Sequence, residues 1–88
     1  MRGEIESWNN GWYGVRLELS VVEIDRLIEL LTIIRNDTEQ HFHMTNDYAG
    51  SGGLGDIEVS VAEAISISNM SVSGLALAPG DLIPSSGT

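Results

Sequence analysis

Ser20–Asn36 reads SVVEIDRLIELLTIIRN and decides the fold, because it is the one long helix in the chain. Ser20 followed by Glu23 fits a capping box. The serine hydroxyl accepts from the Glu23 N–H, and the Glu23 carboxylate reaches back to the Ser20 N–H. Glu23 and Asp25 place negative charge at the positive end of the helix dipole, and Arg35 places positive charge at the other end. At about 100° per residue, Val21, Ile24, Leu27, Ile28, Leu31 and Ile34 share one face, with Leu30 at its margin. That face is expected to bury against a sheet, each large side chain contributing roughly 1.5–3 kcal/mol. The opposite face carries Val22, Arg26, Glu29 and Ile33. Two tolerated surface aliphatics explain it most simply. A stripe that meets a second subunit is the sharper reading, and it makes a homodimer through Val22, Arg26, Glu29 and Ile33 an explicit expectation.

Strand patterns flank the helix. Glu4–Trp8 alternates, and Asn9-Asn10-Gly11 supplies a tight turn because Asn and Gly tolerate positive φ. Trp12–Leu19 alternates cleanly, which directs Tyr13, Val15, Leu17 and Leu19 toward the helix and Trp12, Arg16 and Glu18 away from it. Gln40–Thr45 (QHFHMT) is a third strand, with Phe42 and Met44 inward and His41 and His43 outward. Residues 46–56 form a glycine-rich loop, and Ile57–Val61 is a fourth strand with Glu58 on the outer face. Residues 71–78 leave room for a fifth. The expected fold is a two-layer α+β domain of order ββαββ. One helix packs on one face of an antiparallel sheet of four to five strands, and the other face is left for binding. The domain spans 1–80, and 81–88 form an irregular tail.

Composition narrows the function classes. The 88 residues suit one domain with a modest core, and a hydrophobic share of 42 % is too high for a disordered chain. The net charge is −9, and all four basic residues are arginines. Such a chain repels phosphate backbones, so nucleic acid is not an expected partner and a basic protein is. There is no cysteine, hence no disulfide framework and no thiolate metal site. No run approaches a membrane span and no leader pattern opens the chain, so the expectation is a cytoplasmic protein without a membrane partner.

Chemistry-bearing motifs are sparse. His41-x-His43 puts two imidazoles on one strand face at a spacing common in metal sites, with Glu58, Asp47 or Asp56 within reach as further ligands. Two surface histidines bonded to carboxylates are the simpler alternative. The run 50–55 formally matches G-x-G-x-x-G. It is followed by a strand instead of a helix and lacks lysine, so a nucleotide site is rejected. No serine sits in a nucleophile elbow, and a chain this short hardly builds a deep cleft. A non-enzymatic protein with no resident cofactor is expected.

The runs WNNGWYGVRLELS, EIDRLIELL and HFHMTNDYAGSGGLGDIEV resemble a group of small bacterial proteins associated with polymorphic-toxin immunity loci. The resemblance spans about Glu6 to Val61, and HFHMTNDY followed by GGLGDIE is its most specific part. It implies a cytoplasmic, non-enzymatic protein that binds and neutralises a cognate toxin, a basic domain by the charge argument. The candidate partner-binding residues are Trp12, Arg16, His41, His43, Asp47, Asp56 and Glu58.

Overall fold

The structure, a computed structural model, describes residues 1–72. Its elements run β1 (Arg2–Ser7), β2 (Tyr13–Glu18), α1 (Val21–Asn36), β3 (His41–Thr45) and β4 (Asp56–Ser60). The class is α+β and the order is ββαββ. The strands form two separate two-stranded antiparallel sheets, β1–β2 and β3–β4. The fifth strand considered over 71–78, the end of the domain at 80 and the tail 81–88 lie outside the described residues, except for Ser71 and Val72, which are in no strand.

Local chemistry sets the elements. The capping box forms in full: Glu23 N–H donates to Ser20 Oγ at 3.2 Å, and Ser20 N–H donates to Glu23 Oε1 at 2.9 Å. The helix ends at Asp37, whose N–H still reaches the Ile33 carbonyl at 3.0 Å. In the first hairpin Trp8 N–H donates to the Trp12 carbonyl at 3.0 Å, and Asn9 and Gly11 take the positive φ values of 57° and 93° that the turn requires. Trp8 then lies back over Gly14, where the absent Cβ makes room for its indole.

The helix packs through one edge of the expected face, with Ile34 and Leu27 inward as expected and Leu30 at the margin. Among the described residues only Ile34 and Phe42 are buried, at 7 % and 8 % exposure. The half-covered helix positions are Glu23, Leu27 and Leu30, which with Ile34 form an i, i+4, i+7, i+11 row. Val21, Ile24, Ile28 and Leu31, expected in the core, are exposed. At 100° per residue the two rows are roughly a third of a turn apart. The exposed row is wholly apolar and the covered row is apolar apart from Glu23, and the single sheet that would have covered the wider stripe is divided in two. The hairpin shows the same correction. Leu17 and Leu19 are half-buried as expected, whereas Tyr13 and Val15 are exposed, together with Ile5, which stands opposite Val15 in the register.

The inner side of β3–β4 behaves as its alternation requires. Phe42 is buried, and Met44, Ile57, Val59 and Val61 are half-buried. The hairpins approach each other where Gly3, Leu17, Met44, Leu54 and Ile57 line a small common hollow, and a Cβ on Gly3 would come within 3.1 Å of Leu54 Cδ2.

Candidate functional site

The outer face of β3–β4 collects the chain's titratable cluster. In the register His41 stands opposite Ser60, His43 opposite Glu58 and Thr45 opposite Asp56. Period-two alternation therefore puts both histidines and both carboxylates on one face. His43 is the hub. Its Nδ1 lies 3.0 Å from each carboxylate oxygen of Asp56, the residue diagonal to it, and its Nε2 lies 3.5 Å from Glu58 Oε1. The His41 ring meets the His43 ring edge-on, with centroids 5.1 Å apart and planes at 78°. One ligand atom each from His41, His43 and Glu58 lie within 4.8 Å of one another, and all three residues are exposed.

The residues named from sequence fall into four places. His41, His43, Asp56 and Glu58 come together as described. Asp47 does not join them: its Oδ1 accepts from the Ala49 N–H at 3.1 Å and turns the start of the loop. Trp12 and Arg16 belong to the other hairpin. Trp12 precedes β2 and is 71 % exposed, and Arg16 lies 4.0 Å from Glu6 across the β1–β2 ladder. The outer face expected as one continuous surface is thus shared between two sheets. The helix set is on the surface throughout. Val22 is 76 % exposed, Ile33 is exposed, and Arg26 Nη1 pairs with Glu29 Oε1 between them.

Two further features went unread in the sequence. Asn46 cinches the loop, its N–H donating to the Gly55 carbonyl and its Nδ2 to the Leu54 carbonyl, both at 2.9 Å. Tyr48, at φ 60°, lays its ring 3.1 Å from the position a Gly55 Cβ would occupy. Loop and ring enclose an open hollow of about 230 Å³. A second hollow, about 240 Å³, runs between α1 and β3 and is lined by Leu19, Leu27, Leu30 and Met44. Both fall below the 300–1,000 Å³ usual for small-molecule pockets. The exposed Ile5, Val15, Ile24, Ile28 and Leu31 are the other omission, since a sequence read as core gives no reason to list them as surface.

Comparison with known protein families, with characterised proteins and with solved structures finds no match for this chain. Among the described residues, no helix is long and apolar enough to cross a membrane.

Proposed function

We propose that the protein is a non-enzymatic, cytoplasmic binding module of the immunity type that captures and neutralises a basic toxin domain. The observation that carries this reading is the apolar row Val21, Ile24, Ile28 and Leu31 along α1, which is exposed among the described residues. A monomer seldom leaves so much aliphatic surface open without a partner for it. Large exposed aromatics accompany it: Trp8, Trp12 and Tyr13, the residue types that anchor protein interfaces. Charge argues for the kind of partner. With a net charge of −9, and with Asp25 and Glu29 exposed on the same helix, the surface favours a cationic protein and speeds its encounter. The resemblance of HFHMTNDY and GGLGDIE to immunity-locus proteins supports a toxin as the partner.

The single sheet of four to five strands belongs to the same proposal. Each strand of a two-stranded sheet has one unpaired edge. A partner strand added to such an edge would join or extend the two ribbons, as in β-augmentation.

Co-expression with the toxin-like product of the neighbouring gene tests the reading. Protection of the cells, and co-purification of a complex that Ile28→Asp disrupts, is the expected result. Cells that die regardless, with nothing recovered on the affinity column, would remove it.

A second reading has its own observation. Val22 and Ile33 flank the Arg26–Glu29 ion pair along an exposed flank of α1, and two antiparallel copies of that pattern are self-complementary. Light scattering of the Val22→Asp, Ile33→Asp double variant against the parent separates the readings. A parent dimer that becomes a monomer while retaining toxin binding assigns this stripe to self-association.

A further inference from the structure

We infer that His41, His43 and Glu58 form a surface site for a divalent late first-row transition ion of the zinc class, with Asp56 as its positioning residue. The inference rests on the geometry of this face alone and not on the proposed toxin binding.

The argument starts from spacing. In a tetrahedral zinc site the ligand atoms stand about 2.0–2.1 Å from the ion, so neighbouring ligands are roughly 3.4 Å apart. His43 Nε2 and Glu58 Oε1 already stand at 3.5 Å. A ring nitrogen of His41 lies within 4.8 Å of a ligand atom from each of His43 and Glu58, a gap that side-chain rotation of an exposed residue closes. All three positions sit on one strand pair with fixed register, so the backbone needs no rearrangement.

Asp56 adds an independent reason. Metal-bound histidines commonly donate their second ring N–H to a carboxylate, which fixes the tautomer and leaves the other nitrogen's lone pair outward. His43 is held in that way. Asp56 takes Nδ1 with both oxygens at 3.0 Å, and Nε2 faces Glu58. The donor set also selects among ions. Two imidazoles and one carboxylate suit zinc, nickel or copper over magnesium or calcium, which prefer oxygen throughout. Three protein ligands on an open face leave at least one coordination position for water or for a group from another molecule.

The competing description is a pair of hydrogen-bonded surface histidines with no ion. Titration of the untagged protein with zinc sulfate, followed by calorimetry and by imidazole nitrogen shifts in NMR, distinguishes the two. The expected result is saturation at one ion per chain, with His43 Nε2 and one nitrogen of His41 moving. His41→Ala and Glu58→Ala should each weaken binding on the order of tenfold or more. Asp56→Asn should weaken it about 10–100-fold while keeping the stoichiometry. It should also release the His43 tautomer preference in the ion-free protein, an effect a merely structural aspartate would not produce. All these positions are solvent-facing, so circular dichroism should show every variant folded. Absence of nitrogen shifts at millimolar zinc overturns the inference, and so does an affinity that changes less than threefold in either His41→Ala or Glu58→Ala.

Discussion

The α-ammonium of Met1 donates to Glu23 Oε2 at 2.8 Å, tying the first residue of the chain to the third residue of the helix. Glu23 is thereby used twice, because its Oε1 also closes the capping box. The ammonium, then the Ser20 backbone N–H, then the Ser20 hydroxyl lower its pKa from 4.5 to about 2. A carboxylate whose folded pKa is depressed adds stability above its unfolded value, and that stability is lost as pH falls toward the folded one. The contribution of Glu23 should therefore be full above about pH 4.5 and fade between there and about pH 2. Carboxyl-carbon NMR should place the Glu23 midpoint well below the usual glutamate value. Acetylating the N-terminus should move its midpoint up, and an unchanged midpoint would remove Met1 as the cause.

The face on which α1 packs can be read from truncations. Ile34→Ala and Leu30→Ala should destabilise the protein far more than Ile28→Ala and Val22→Ala. Core truncations of this type cost about 2–5 kcal/mol when burial is complete, and exposed ones are usually within about 0.5 kcal/mol. Ile34 should approach the upper range and half-covered Leu30 the lower. Urea midpoints of the four variants give the order directly. Equal losses for Ile28 and Leu30 would mean that α1 turns its packing face to a position between the two rows.

Phe42→Ala should be the most damaging single change in the second hairpin, at about 3–5 kcal/mol. So large a loss would leave a domain this small mostly unfolded at room temperature. Thermal unfolding followed by circular dichroism checks it, and a cooperative transition at the parent temperature would contradict it.

Gly52 and Gly53 offer a matched pair. A Cβ at either position meets nothing within 4 Å, but Gly53 sits at φ 140° and Gly52 does not take a positive φ. Gly53→Ala should cost roughly 1–3 kcal/mol of backbone strain, and Gly52→Ala should be neutral or slightly stabilising. Because space is open at both, any difference in denaturant midpoint reports backbone conformation alone.

If a cationic toxin domain is the partner, association should slow steeply as salt rises, since screening acts on long-range steering. Stopped-flow rates at two ionic strengths test this. The dissociation rate should respond instead to Ile28→Asp, because the apolar contact acts after encounter. A rate indifferent to salt would remove the charge argument.

What was legible in the sequence was local. Ser20 and Glu23 are three residues apart, so their cap is written in a short motif. His41, His43 and Glu58 share a face because strand alternation is strict. The Asp56–His43 bond is diagonal across the ladder and depends on the register, which the glycine-rich loop leaves open. The packing face of α1 could not be chosen from periodicity, because Leu30 and Ile34 on one side and Ile24, Ile28 and Leu31 on the other form one wide apolar arc. Whether two hairpins join into one sheet depends on contacts such as Gly3 with Leu54, and no local pattern encodes those.

Asn46 has a practical use. By pinning the span from Asp47 to Leu54 at its base, it uncouples that span's length from the β3–β4 ladder. Added residues would lengthen only a tethered lasso, at a cost that grows slowly with size. An epitope or fluorophore-binding peptide grafted between Gly50 and Gly52 should then leave the histidine face intact, giving a handle for watching capture in living cells.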